Sequence, residues 1–96
     1  MLVLVCYDVG TTDPTGPKRL RKIAEACKDY GIRVQYSVFE CRIEDRAWVV
    51  LRNRLLGEMD ARLDSLRFYF IRENDAARTE HHGVRQPLDP SGPLVV

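Results

Sequence analysis

The chain begins with a continuous run of apolar residues that ends in an acid. Residues 2–7, with the sequence LVLVCY, come directly before Asp8. A run this short and this rich in β-branched residues predicts a central strand covered on both faces. Several glycines and prolines then mark residues 8–17 as a loop, and such loops at strand ends often hold functional residues.

Apolar residues next recur at the spacing of a helix, which predicts a first helix over residues 17–30. Pro17 suits its first position, where the missing N–H costs no hydrogen bond, and Gly31 suits its end. The predicted inner face consists of Leu20, Ile23, Ala24 and Cys27.

The segment from Arg33 to Ile43 alternates like a strand but changes phase in the middle. A one-residue change of phase sends the following side chains to the opposite face of a sheet. The pattern therefore predicts a bulge or a tight turn near Ser37–Phe39, in two short strands or one sharply bent strand. The two phases are Val34, Tyr36, Val38 and then Phe39, Cys41, Ile43.

A second helix is predicted to begin at residues 44–46, with Asp45 as its N-cap and Gly57 near its end. Trp48 and Leu56 are expected beside its inner face, which consists of Ala47, Val50, Leu51, Arg54 and Leu55. An alternating strand follows over residues 64–72, with both sides at least partly covered: Leu66, Phe68 and Phe70 on one side, Arg67, Tyr69 and Ile71 on the other.

Residues 73–93 are polar and contain three prolines, so we expect a loop or tail. The apolar end, Leu94–Val96, is expected to dock as an extra strand on a sheet edge of this subunit or of a partner. The order of elements predicts an α+β fold, a ferredoxin-like βαββαβ sandwich with an extra C-terminal strand. We assign 1–72 to the ferredoxin-like domain and 73–96 to a C-terminal linker and docking strand.

Composition narrows the class of protein. The chain has 96 residues, 45% of them hydrophobic, which suits one domain with a small core. Its net charge of +1 excludes a general polycationic field, so any nucleic-acid binding must depend on local patches. Three widely spaced cysteines favour buried free thiols in a reducing compartment. No segment is long enough for a bilayer and no signal peptide is recognisable, so we expect a soluble cytoplasmic protein without membrane contacts.

Asp8 is the first candidate for chemistry, since a carboxylate at the end of a buried strand needs a cation or hydrogen-bond donors. One alternative is that it caps a turn or the next helix. The other is a metal or catalytic role. A single carboxylate makes a poor Mg²⁺ site, but two copies of Asp8 near a dimer axis would form a paired-carboxylate site able to hold a metal against a phosphodiester.

Basic and aromatic residues provide two further candidates. Arg19 and Arg21 lie at the end of the first helix nearest Asp8, and their planar guanidinium groups suit phosphate. The alternative is an ordinary solvated helix face. Three aromatic side chains could stack on bases, or could instead fill the core or an interface. The wider basic set is Lys18, Arg19, Arg21, Lys22, Lys28 and Arg33, and the aromatic set is Tyr7, Tyr36 and Phe39.

Four segments together resemble the small CRISPR-associated Cas2 family. They occur in order and at characteristic separations, and the match covers most of residues 1–72. The segments are Val5–Val9 (VCYDV), Arg19–Arg21 (RLR), Gly31–Glu40 (GIRVQYSVFE) and Asp64–Tyr69 (DSLRFY).

The resemblance implies a ferredoxin-like homodimer that partners the CRISPR integrase subunit in spacer acquisition. Some members are metal-dependent endonucleases acting on single-stranded RNA or duplex DNA. Carried over, Asp8 is the catalytic and Mg²⁺-binding residue, and the nucleic-acid-binding residues are Tyr7, Arg19, Arg21, Arg33 and Phe39. Two other interpretations stay open: an architectural DNA-binding scaffold that bridges integrase subunits without chemistry, and a ferredoxin-like small-molecule sensor.

Overall fold

A computed structural model describes residues 1–84 of the chain. The elements follow the predicted order, with one short helix added at the end of the described segment. They are β1 (Leu2–Asp8), α1 (Gly16–Tyr30), β2 (Ile32–Gln35), β3 (Val38–Arg42), α2 (Asp45–Glu58), β4 (Ser65–Ile71) and α3 (Glu73–Ala76).

The four strands form one antiparallel sheet in the order β2-β3-β1-β4. β1 lies in the middle, with Val5 opposite Phe39 of β3 and Phe68 of β4. This order arises when two β-α-β units interleave so that each helix crosses over one strand, which confirms the predicted ferredoxin-like sandwich. The predicted extra strand at Leu94–Val96 lies outside the described residues.

Both long helices lie on the same face of the sheet. The β1 residues Val3 and Val5 are buried in one core cluster with Ile23 of α1 and Leu51 of α2. The intervening β1 residues point to the opposite face, where Leu4 is only partly buried. The prediction of a strand covered on both faces is therefore correct for the helix side, whereas in residues 1–84 the middle of the other face is only partly covered.

The phase change between residues 33 and 43 produces two short strands, β2 and β3, as predicted. The turn is at Tyr36–Ser37, slightly earlier than expected, and a separate irregularity of register lies between Arg33 and Gln35. Gly31 precedes this hairpin with extended backbone, and a Cβ atom there would collide with the carbonyl oxygen of Glu40. The glycine thus ends α1 as predicted, and the close approach of β3 requires it.

The second helix differs from its prediction in its cap, its end and its inner face. Its N-cap is Glu44 rather than Asp45, and the helix continues through Gly57 to Glu58. Val50, expected inside, is 53% exposed. The physical reason is Trp48, whose ring makes edge-to-face contacts with Phe68 and Phe70 at centroid distances of 4.8 and 5.5 Å. Those contacts orient the helix so that its buried residues are Trp48, Leu51 and Leu55.

The last strand is covered less than expected. Leu66, Phe68 and Ile71 are partly buried, but Tyr69 is 46% exposed and Phe70 is 59% exposed. The expectation of covered sides is wrong at these two positions, because β4 is the edge strand of the described sheet and has β1 as its only strand neighbour there.

Residues 73–76 form the helix α3 rather than the start of a loop. The Arg72 carbonyl accepts hydrogen bonds from the backbone N–H groups of Asp75 and Ala76, and Ala76 is buried. Glu73 forms ion pairs with Arg42 and with the N-terminal amine at 3.2 and 3.5 Å. These contacts attach α3 to the sheet, so the first residues of the segment assigned as a linker belong to the folded body.

The cysteines are free thiols, as predicted: Cys27 and Cys41 are buried, and Cys6 is half-buried. Burial raises the pKa of Cys27 to about 12 and that of Cys41 to about 11, which keeps both thiols protonated at neutral pH. No helix within residues 1–84 has the length and apolar character required to cross a bilayer.

Candidate metal and nucleic-acid site

Asp8 is an exposed carboxylate at the end of β1. The alternation of the strand puts its side chain on the same face as Leu4 and Cys6, away from the long helices. Within residues 1–84 its carboxylate has no hydrogen bond or ion pair, and the N-cap of α1 is Thr15. The capping interpretation is therefore wrong for the described chain, and the carboxylate is available for an external ligand.

A single chain offers only one carboxylate there. The described residues contain no group of three His, Cys, Asp or Glu side chains that could hold a metal ion. Mg²⁺ accepts such a site when water and substrate phosphate complete its six oxygen ligands. The carboxylate of Asp8 thus fits Mg²⁺ as one ligand, and the remaining ligands would have to come from outside this chain.

Arg19 lies at the centre of a hydrogen-bonded cluster beneath the loop that follows Asp8. Its side chain is 12% exposed, and that of Asp64 is fully buried. The Arg19 Nε donates to Asp64 Oδ2 at 2.8 Å, and Nη2 donates to Asp64 Oδ1 at 3.1 Å. The guanidinium also donates hydrogen bonds to both carboxylate oxygens of Asp13 and to the Thr15 hydroxyl oxygen. All three guanidinium nitrogens therefore donate within the protein.

The same cluster holds the backbone of the loop. Gly10 donates its N–H to Asp64 Oδ1 at 3.0 Å, and its carbonyl accepts from Arg19 Nη2 at 3.2 Å. Asp60 also donates its backbone N–H to Asp64, at 2.8 Å. These hydrogen bonds fix the loop between β1 and α1 to the loop before β4. The attachment point, Gly10, is only two residues beyond Asp8.

The cluster contains one cation and two carboxylates, so the positive charge of Arg19 is fully neutralised within the protein. Hydrogen bonds from Arg19 hold the pKa of Asp13 at about 2 and keep the pKa of Asp64 below its usual range. The two carboxylates in turn raise the pKa of Arg19. A cation so fully engaged is not presented to a phosphate, so the geometry gives Arg19 a positioning role where the resemblance implied direct nucleic-acid contact.

Arg21 and Arg33 have a different environment, because both are exposed and line an open groove beside Asp8. Arg21 forms an exposed ion pair with Glu25 at 3.7 Å. The Arg33 guanidinium lies over the Phe39 ring, 5.0 Å from its centroid. Asp8, Arg21 and Arg33 thus line one groove, with Arg33 on the helix side of the sheet and the Asp8 side chain on the other side.

The two aromatic candidates lie in the core instead. Phe39 has no exposed surface and Tyr7 is 5% exposed, with their rings stacked at a centroid distance of 6.2 Å. Burial raises the pKa of the Tyr7 phenol, while a hydrogen bond from Arg33 opposes the shift. Neither ring can stack on a base in this conformation, so the burial favours the core alternative. The third aromatic, Tyr36, is 78% exposed at the hairpin turn.

Asp13 and Asp64 were not predicted as site residues, although both complete the Arg19 cluster. Asp64 opens the segment Asp64–Tyr69 that contributes to the family resemblance, and it lies between a helix and a strand. The signal in the sequence was a carboxylate just before a strand that could pair with the arginine near the start of α1. Recognising this pair requires knowing that the two loops lie together in the fold.

Comparison with known proteins agrees with the fold and the motifs. The family model described as CRISPR associated protein Cas2 matches residues 1–79. A Chlorobaculum tepidum protein named CRISPR-associated endoribonuclease Cas2 is 55% identical over 96 residues, covering all of both chains. A Halalkalibacterium halodurans protein named CRISPR-associated endonuclease Cas2 is 44% identical over 95 residues, which cover 99% of each chain.

Solved structures support the same assignment. Streptococcus pyogenes Cas2, crystallised at pH 6.5, superposes with a TM-score of 0.76 at 48% identity, covering 86% of this chain and 100% of that one. A hypothetical protein from Thermus thermophilus gives a TM-score of 0.71 at 38% identity, covering 90% and 95% of the two chains. Sequence, motifs and fold thus agree along the described residues, and the chain belongs to the CRISPR-associated Cas2 family.

Proposed function

We propose that this chain is a homodimeric subunit of CRISPR adaptation that binds nucleic acid, supports spacer acquisition and carries a Mg²⁺-dependent endonuclease site at paired Asp8 residues. The observation that carries the proposal is the exposed Asp8 carboxylate, which has no bonding partner within residues 1–84. The names of the relatives, endonuclease and endoribonuclease, support phosphodiester hydrolysis.

A second copy of the chain is the partner that completes this site. The sheet face opposite the long helices, which also carries Asp8, presents Leu4, Cys6 and the exposed Tyr69. A two-fold contact between two such faces would bury this apolar surface, and each subunit would contribute the same carboxylate. The requirement of Mg²⁺ for several oxygen ligands favours that arrangement over a monomer.

The Asp8 carboxylate would hold Mg²⁺ at the end of β1 and would not act as the nucleophile. The chemistry that Mg²⁺ would supply there is Lewis-acid polarisation of the phosphate and a lowered pKa of a bound water. Arg21 and Arg33, exposed in the groove that Asp8 also lines, would neutralise the charge that develops on the phosphate oxygens. Arg19 and Asp64 fix the adjacent loop, so the position of Asp8 is set before substrate binds.

Cleavage by the wild type and by Asp8→Asn tests this site on single-stranded RNA and duplex DNA, with Mg²⁺ and with EDTA. We expect Mg²⁺-dependent cleavage by the wild type and its loss in the variant. Asp45→Asn is the matched control, because Asp45 is also exposed but lies at the start of α2, and it should cleave normally. Cleavage that survives in Asp8→Asn would refute the assignment of the metal to Asp8.

The second candidate function is an architectural scaffold that clamps DNA and bridges subunits of the CRISPR integrase. It is favoured by the exposed cations Arg21 and Arg33, since binding to the phosphate backbone requires only cations, and by the absence of a metal-ligand cluster within residues 1–84. Wild-type protein that binds DNA but cleaves no substrate in Mg²⁺ would establish this role. Copurification with the integrase subunit, and loss of spacer acquisition when the chain is deleted, test the cellular part common to both proposals.

A further inference from the structure

An open groove of about 760 Å³ lies beside Asp8, between α1 and the β2–β3 hairpin. Its volume is within the range of ~300–1,000 Å³ that is typical of small-ligand pockets. One wall is a single face of α1 that includes Leu20, Arg21 and Lys28, and the hairpin residues Arg33 and Tyr36 form the opposite wall.

Two cations of the groove have no carboxylate partner within residues 1–84. These are Lys28 and Arg33, both exposed. Arg33 is also held in place, because its guanidinium lies over the Phe39 ring, 5.0 Å from its centroid. Arg21 is paired with Glu25, but only through an exposed contact of 3.7 Å. The rim therefore offers preorganised positive charge for at least one phosphate.

The lining between these cations is apolar. Val9 and Ala24 are nearly buried there, and Leu20 is 36% exposed. Tyr36 contributes an aromatic ring that is 78% exposed at the mouth of the groove. Such surfaces receive the flat face of a nucleobase, which every base offers regardless of sequence.

We propose that this groove binds one unpaired nucleotide, with its phosphate on Lys28 and Arg33 and its base against Leu20 and Tyr36. A paired base inside a duplex has both faces covered by its neighbours in the stack. Its faces therefore cannot contact the apolar lining of the groove. The occupant is therefore a nucleotide of a single strand, or one at an unpaired end of a duplex. This inference rests on the proposed nucleic-acid binding and adds the kind of strand that is bound next to Asp8.

Binding measured in EDTA separates this inference from catalysis. Fluorescence anisotropy compares a blunt DNA duplex, the same duplex with a three-nucleotide overhang, and single-stranded RNA and DNA of equal length. We expect the overhang to tighten binding at least about 5-fold, the lower end of the contribution of a stacked base. Tyr36→Ala should remove that gain in affinity while leaving the affinity for the blunt duplex unchanged. Lys28→Ala should weaken binding most for the strands that have unpaired nucleotides.

Two substitutions on α2 serve as controls. Arg52→Ala removes one exposed cation, as Lys28→Ala does, and Leu56→Ala removes an exposed apolar side chain outside the groove. Neither should change the preference for the overhang. Titration of the wild type with thymidine monophosphate and with inorganic phosphate, followed by NMR, should shift groove signals with the nucleotide at lower concentration than with phosphate.

Equal affinity for blunt and overhanging duplexes would overturn the inference, and so would an equal loss in Tyr36→Ala and Leu56→Ala. These results leave the Asp8 assignment intact, because it depends on Mg²⁺-dependent cleavage. Conversely, a protein that prefers the overhang but does not cleave would support the groove inference and refute the nuclease proposal. Absence of binding to every nucleic acid would refute both proposals.

Discussion

Arg19 and Asp64 lie 45 residues apart in sequence and form an ion pair of 2.8 Å that fixes the loop following Asp8. The Asp64 side chain is fully buried and also accepts hydrogen bonds from the backbone N–H groups of Gly10 and Asp60. A buried carboxylate with this many donors is held in one geometry. The pair therefore connects the start of α1 and the start of β4 to the position of Asp8.

Asp64→Asn should lower both stability and cleavage. The amide keeps the shape of the carboxylate but removes its charge, which leaves the Arg19 guanidinium with a weaker partner. We expect the melting temperature to fall by at least about 5 °C, the shift typical of a modest destabilisation in a domain of this size. Cleavage should be lost mainly in kcat, because the groove that binds the strand is unchanged.

The matched control is Asp29→Asn, which breaks the ion pair between Asp29 and Arg54 at 2.6 Å. Both of those side chains are substantially exposed, and exposed ion pairs contribute little to stability. Equal melting temperatures for the two variants would contradict a special role for the buried pair. A proportional loss of cleavage and folded protein, with normal kcat per folded molecule, would show that Asp64 only stabilises the fold.

The same cluster predicts how stability depends on acid. The ordinary aspartate pKa is 3.8, and in the folded protein that of Asp13 is about 2 and that of Asp64 is also lowered. A carboxylate with a lowered pKa contributes stability that is fully present above 3.8 and is lost as the pH falls toward its folded value. The free energy of unfolding should therefore decrease between pH 4 and about pH 2, as followed by urea denaturation at each pH.

Asp13→Asn provides the comparison for that titration. Because its amide does not titrate, the decrease below pH 4 should become shallower, while the curve above pH 5 keeps its shape. An unchanged slope below pH 4 would mean that other carboxylates cause the acid sensitivity.

The sequence predicted the fold better than the site, and particular residues show why. The Leu2–Asp8 run and the phase change at the hairpin are local patterns; the first predicts one strand and the second predicts two. The role of Arg19 depends instead on Asp64, which is distant in sequence. Alternation could not tell that Phe39 points to the core rather than to a ligand, since both faces of its segment carry apolar residues.

Phe39 should therefore act on stability and not through base stacking. Phe39→Ala removes a fully buried ring, which typically costs ~3–5 kcal/mol of unfolding free energy, whereas Phe39→Leu keeps most of the apolar volume. We expect Phe39→Leu to remain folded and to weaken single-strand binding no more than Arg33→Ala does, because the ring acts on binding only through the Arg33 guanidinium that lies over it. A folded Phe39→Leu variant that binds more weakly than Arg33→Ala would restore the stacking role that the resemblance implied.

The salt dependence of binding should distinguish the arginines. Each phosphate contact contributes about 0.7–0.9 to the slope of log affinity against log salt concentration. Arg21→Ala and Arg33→Ala should reduce that slope, because both side chains are exposed beside Asp8. Arg19→Lys should leave it unchanged in protein that remains folded, because Arg19 donates all its hydrogen bonds internally. A reduced slope for Arg19→Lys would place this residue in the phosphate interface after all.

Assembly through the sheet face predicts that Tyr69→Glu yields a monomer. Tyr69 is 46% exposed on the face that carries Asp8, and a charge there would be buried without a partner in a two-fold contact. Val50→Glu is the matched control, because Val50 is 53% exposed but lies on α2. Sedimentation equilibrium should give dimers for the wild type and Val50→Glu and monomers for Tyr69→Glu. If the monomer also loses Mg²⁺-dependent cleavage while binding single strands through the groove, two copies of Asp8 are required for the chemistry. Full cleavage by the monomer would instead show that one carboxylate suffices.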